Sequence, residues 1–193
     1  MNTAEKTSTP SQALTWFPMR VTYCRELKIK ECLDNLKVES YVPMHYELVD
    51  VKNQRQLMKV PAIHNLIFVR STQEALTSMK MTRQELEPLR YMMRPTDDGS
   101  KRREIIRIPD KQMEDFIRVS SAEDERVIFL NYSSYLAKPG QRVKVTQGHF
   151  AGVEGVIKRI NNNKRVVVQI DGVAAVAITY VPTEHLIAIN ENY

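Results

Sequence analysis

The stretch VKVTQGHFAGVEGVI, residues 143–157, limits what this chain can fold into more than any other. Gly148, Gly152 and Gly155 interrupt a run of β-branched residues, and Pro139-Gly140 stands just ahead of it. Val, Ile and Thr suit a pleated, half-buried surface, whereas Gly supplies positive φ or close backbone approach. The pattern therefore reads as strand, tight turn, strand. Five of the six glycines (Gly140, Gly148, Gly152, Gly155 and Gly172) lie beyond residue 139, so the last third obeys a different turn chemistry. This predicts two domains, with a small β-barrel over residues 137–193. The run Val166-Val167-Val168-Gln169-Ile170 has a local preference for strand and favours a barrel over a helical hairpin.

The larger N-terminal part mixes both periodicities. A strand is predicted over 15–22, then a charged helix over 25–37 with Ile29, Cys32, Leu33 and Leu36 on one face and Arg25, Lys28, Lys30 and Lys37 elsewhere. Further strands are predicted at 39–51 and 62–70. Ser71-x-x-Glu74 has the form of a capping box opening a second helix that carries Leu76 and Met79. Asp97-Asp98-Gly99-Ser100 is a turn signal between strands at 89–94 and 102–108, which predicts a hairpin. Pro109 suits the first turn of a third helix bearing Met113, Phe116 and Ile117. The expected fold class is α+β: an antiparallel sheet flanked by helices over 14–121, a linker over 122–136, and the barrel. Residues 1–13 read as a disordered tail.

Charge is spread unevenly. Of the net +5, residues 14–121 carry +4 and residues 137–193 carry +3, while the acidic SAEDE at 121–125 lies between them. Two mildly basic modules suit a protein that touches nucleic acid through a few phosphates rather than wrapping it. No apolar run nears the roughly 20 residues a membrane span needs, and residues 1–13 lack a signal peptide's apolar core, so a cytoplasmic protein with no membrane partner is expected. Cys24 and Cys32, eight apart on the first predicted helix, match neither a zinc spacing nor a CxxC pair and read as small apolar side chains. His45, His64, His149 and His185 are scattered, and neither a phosphate loop nor a dinucleotide fingerprint occurs. No enzyme activity, catalytic residue, cofactor or metal is expected.

Residues 138–170, with an alternating strand, a G-x-F-A-G-x-x-G turn, a second strand, an Asn161-Asn162-Asn163 hairpin and a third strand, resemble a KOW module, which implies a small SH3-like β-barrel. Trp16-Phe17 opening a strand, the charged helix, SYVPMHYE at 40–47 and VPAIHNLIFV at 60–69 resemble the N-terminal domain of NusG-type elongation factors. Within that family the specialised paralogues typified by RfaH, and in particular the UpxY-like antiterminators of capsular polysaccharide operons, are the most similar in pattern. The resemblance spans about residues 14–187. It implies a transcription elongation factor or antiterminator that binds RNA polymerase and suppresses pausing or termination.

The resemblance also implies sites. Ile63, Leu66 and Phe68 match the strand whose neighbourhood grips the clamp helices of the polymerase largest subunit, with His64 in place of the family's Pro and Leu66 in place of its Tyr. Lys101, Arg102 and Arg103, with Arg90, Arg94 and Arg107 nearby, are candidates for phosphates of upstream or non-template DNA. Arg25 and Lys28 match positions that contact the non-template strand. Phe150 holds the place of an exposed apolar side chain at the KOW turn, implying contact with a ribosomal protein or with Rho. The other class is a ribosome-associated KOW protein that binds structured RNA. Such proteins are more basic, and residues 14–121 would then lack a purpose.

Overall fold

The computed structural model describes residues 13–96, 99–124, 126–130 and 140–189. The tail expected over 1–13, the hairpin tip Asp97-Asp98 and the second half of the expected linker fall almost wholly outside them. The N-terminal part runs β1 (Thr15–Val21), α1 (Glu26–Asn35), β2 (Ser40–Tyr41), β3 (Met44–Val51), β4 (Gln54–Pro61), β5 (Leu66–Ser71), α2 (Gln73–Thr82), β6 (Leu89–Tyr91), β7 (Met93–Pro95), β8 (Arg103–Ile105) and α3 (Asp110–Ser120). Then follow β9 (Val127–Leu130), β10 (Arg142–Val145), β11 (Glu154–Ile160), β12 (Asn163–Ile170), β13 (Ala174–Ile178) and β14 (Leu186–Ala188). The mixed α+β class expected from sequence is what forms.

The first sheet has the order β2-β5-β1-β6 with antiparallel pairing, so β1 is internal. Strand alternation sends Phe17, Met19 and Val21 of β1 with Ile67 and Val69 of β5 to one face. There they meet Ile29 and Leu33 of α1 and Leu76 of α2. Trp16, Leu66 and Phe68 go to the other face, against Met113, Phe116 and Val119 of α3. The α1 face read from 3.6-residue spacing is the one that packs, with Cys32 and Leu36 at its margin. The capping box shifts by one residue. Ser71 is still paired with Thr15 in the sheet and is buried, so Thr72 becomes the cap, its hydroxyl accepting from the Ala75 N–H at 3.1 Å. Cys24 also falls outside the helix predicted for it, in the turn between β1 and α1.

The predicted strand 39–51 breaks after Tyr41, and a strand the sequence pattern does not show, β4, pairs with β3 over its whole length to form a separate two-stranded arm. QRQLMKV is polar and weak in β-branched residues, and its turn is Lys52-Asn53 rather than Asn-Gly, although both residues adopt the positive φ that a tight hairpin turn needs. The hairpin predicted around Gly99 is present as the β7–β8 pair.

The C-terminal sheet has the order β14-β10-β11-β12-β13-β9. Its first five strands are the SH3-like module expected from sequence, with Asn161 and Asn162 at positive φ turning β11 into β12. Gly155 is required by space, since a Cβ there would stand 2.8 Å from both Val166 Cγ1 and the Val167 carbonyl. The sixth strand, β9, comes from the stretch expected to be linker and pairs with β13. It covers an edge that would otherwise present unpaired backbone groups.

Helix α3 lies between the two sheets. Its apolar side chains and those of the C-terminal strands, among them Val143, Val145, Phe150, Val153, Val166 and Val176, form one continuous cluster with Trp16, Leu66 and Phe68. Phe68, with no exposed surface, sets its ring 5.5 Å from that of Phe116. Truncating such a side chain removes its transfer energy and leaves a cavity. Phe68→Ala is therefore expected to lower the unfolding free energy by about 3–5 kcal/mol in a urea titration. An unchanged midpoint would mean that the ring lies outside the core.

Candidate functional site

A cleft of about 960 Å³ opens where the arm, the loop before β5, the end of α3 and β9 meet. Tyr41 and His45 line one wall, Ile63 and His64 a second, Ser120 and Glu123 a third, and Phe129 of β9 a fourth. The Tyr41 hydroxyl and Ser120 Oγ stand 2.7 Å apart, tying β2 to the last turn of α3. Burial raises the Tyr41 pKa above its ordinary value despite that bond, so the phenol stays neutral and can both donate and accept. The His45 ring meets Phe129 edge-on at 6.1 Å. Glu123 Oε1 accepts from Lys59 Nζ at 3.1 Å and from the Tyr46 hydroxyl at 3.3 Å, joining the arm to the segment after α3. The Lys59 ammonium holds the Glu123 carboxyl below its usual range.

Of the three residues expected to meet polymerase, only Ile63 borders this cleft. Leu66 and Phe68 lie beneath it, Phe68 with its ring 6.4 Å from that of Tyr41. They share a strand face, and that face is the one α3 covers, so their direct role is packing. Tyr41 of β2 and His45 of β3, both within SYVPMHYE, were not singled out by sequence as contact residues, although two rings on either side of Val42-Pro43 are the signal that marks them.

The basic candidates are exposed and divide between two elements. Arg25 and Lys28 flank the start of α1, with the Arg25 guanidinium 5.4 Å from the Tyr23 ring centre. Lys101, Arg102 and Arg103 stand at the β7–β8 hairpin, where Arg103 donates to the Met93 carbonyl at 3.3 Å. Their neighbours are drawn into local partners: Arg94 pairs with Glu104 at 2.6 Å, Arg107 donates to Gln73 Oε1 at 2.7 Å, and Arg90 pairs with Glu87.

Phe150 corrects an expectation. It is 4% exposed and packs within the cluster shared with α3, with the Arg126 guanidinium 6.0 Å from its ring centre. Gly148 and Gly152, both at positive φ, turn the chain so that the ring points inward rather than to solvent. Around it, α3 makes polar contacts with the same turn: Lys111 Nζ donates to the Gly152 carbonyl at 3.1 Å and Arg118 to that of His149 at 3.0 Å. Buried Asp115 accepts from Lys111 and from the Glu154 N–H at 3.2 Å.

Two family models match the sequence, one described as "Transcription termination factor nusG" over residues 14–117 and one as the KOW motif over 139–171. The chain belongs to the NusG family. Members of this family are transcription factors without catalytic chemistry, and no helix among the described residues is long and apolar enough to cross a membrane. No curated protein matches. Among solved structures, one titled for domain interaction in Thermotoga maritima NusG aligns at 16% identity and a TM-score of 0.42, covering 92% of this chain and 98% of that one.

The segment that closes the cleft is held by charge. Asp124 accepts from the Arg126 guanidinium and backbone N–H, which lowers its pKa from 3.8 to about 2. A depressed carboxyl stabilises the fold above its unfolded pKa and loses that contribution as pH falls through the folded value. In thermal melts, the gap between wild type and Asp124→Asn is expected to close as pH falls from 3.8 towards about 2. A gap constant across that window would show that the pair does not act on the fold.

Proposed function

We propose that this NusG-family protein is a transcription elongation factor and antiterminator, operon-specific in the manner of the capsular polysaccharide regulators, that rides on RNA polymerase. The cleft bounded by Tyr41, His45, Ile63 and His64 carries this reading. Its walls combine aromatic and aliphatic side chains with a few polar groups, the composition that receives an amphipathic helix, and the clamp helices of the polymerase largest subunit are such a partner. The neighbouring arm adds apolar surface, with Leu48 and Leu57 directly paired and both exposed. Lys101, Arg102 and Arg103, and separately Arg25 and Lys28, are proposed to meet phosphates of upstream or non-template DNA. Phe150, being buried, has no place in the proposal, and a ribosomal or Rho contact would need other residues of the barrel.

Binding of core polymerase to the full chain tests the cleft. Ile63→Ala and Tyr41→Ala are expected to weaken it about tenfold or more, the loss of more than 1 kcal/mol typical of an interface anchor. Unaltered affinity in both variants, or capture of ribosomal subunits in place of polymerase, would refute the assignment.

Charge reversal at Arg102 and Arg103 tests the DNA contact. Each lost phosphate contact is expected to flatten the dependence of log K on log salt by about 0.9 for duplex or about 0.7 for single strands. An unchanged slope would assign the cluster to solvent.

A further inference from the structure

The cysteine spacing of this chain matches no metal motif, yet the fold brings three ligand types together from the turn and first residue of α1 and from the distant loop before β5. We propose that Cys24, Glu26 and His64 form a mononuclear site for a zinc-like divalent metal ion. The Cys24 thiol, a Glu26 carboxylate oxygen and a His64 ring nitrogen all lie within 4.8 Å of one another. Cys24 and His64 are exposed and accessible, while Glu26 is 1% exposed.

Glu26 points to the ligand. Its Oε1 accepts from the Asn65 N–H at 2.9 Å, whereas Oε2 is buried and has no hydrogen-bond partner among the described residues. A buried carboxylate oxygen is ordinarily paired or bound to a metal. The framework around it is already fixed from both loops. The Val21 N–H donates to the Asn65 carbonyl at 2.9 Å and the Cys24 N–H to Asn65 Oδ1 at 3.0 Å, so the β1–α1 turn and the loop before β5 are joined without the side chains that would hold the ion.

The donor set selects the metal. One sulfur, one nitrogen and one oxygen suit Zn²⁺, while Ca²⁺ and Mg²⁺ demand oxygen ligands throughout. With Zn–S about 2.3 Å and Zn–N or Zn–O about 2.0–2.2 Å, tetrahedral ligand atoms stand about 3.4–3.6 Å apart. Closing to that distance takes about an ångström of movement, within reach of χ rotations of the two exposed side chains. Thiolate and carboxylate balance the charge of the ion, and the fourth position is left to water. Bound metal would clamp the backbone on both sides of Arg25, since Cys24 and Glu26 are its chain neighbours. Metal binding stands independently of any role of Arg25 on DNA.

Co²⁺ alone, added to the chelator-treated full chain in reducing buffer, is expected to give thiolate-to-metal charge-transfer absorption at one equivalent, lost when Zn²⁺ displaces it. Cys24→Ser and His64→Ala are expected to abolish that absorption, and Cys32→Ser to retain it. In the wild-type chain, which needs no variant to fold, Zn²⁺ is expected to block alkylation of Cys24 and leave that of Cys32 unchanged. Absorption that survives in Cys24→Ser, or Cys24 labelling undiminished by Zn²⁺, would overturn the proposal. A rise in melting temperature with Zn²⁺ that is equal in wild type and His64→Ala would also overturn it, because it would place the ion elsewhere on the surface.

Discussion

The two main sheets meet on α3, which is buried against strands from both halves of the chain. Phe116 sets its ring against that of Phe68, and Met113, Phe116 and Val119 belong to one buried cluster that takes in both the N-terminal sheet face and Val143, Val145 and Phe150. A helix with apolar residues on more than one side must find more than one partner. Orientation is then set by polar atoms. Asp115, buried and acidic, would be costly without donors, and it finds them in Lys111 of its own helix and the Glu154 N–H of the C-terminal sheet. Gln112, donating to the Gln169 carbonyl at 2.9 Å, fixes the same face at a second point.

That arrangement decides what the cleft is made of. Because α3 covers the face of β5 that carries Leu66 and Phe68, the surface left for a partner moves outward to Tyr41, His45 and Ile63. β9 then adds Phe129 to the wall while pairing through its backbone with β13. One short strand thus protects a sheet edge and lines the cleft. NusG-family proteins bind RNA polymerase, and the side chains proposed to face it are those of this cleft.

The β3–β4 arm is the least supported part of the N-terminal unit. A two-stranded ribbon has little independent stability, and here Leu48 and Leu57 lie opposite each other in the open. Met44 at its base packs against the core beneath α1, and farther out Lys59 and Tyr46 reach Glu123 while His45 meets Phe129. These outer contacts all go to the segment that follows α3, so arm, cleft and β9 depend on one another.

Much of this was legible in order along the chain. The apolar runs of β1 and β5, the 3.6-residue stripe of Ile29, Leu33 and Leu36, the asparagine hairpin and the glycine turn each report on neighbours within a few residues, and local sterics set them before any distant contact forms. The two-module order was likewise readable from where the glycines fall. What stayed hidden depends on partners far away in sequence. Strand β4 exists because β3 pairs with it, and Phe150 is buried because α3 arrives from residues 110–120. Leu66 and Phe68 belong to the core because the face they share is the covered one. Cys24, Glu26 and His64 become neighbours only when the loop before β5 bonds to the turn after β1. Periodicity tells which residues share a face, since backbone geometry alone dictates it; which face is covered, and by what, is a property of the packed molecule.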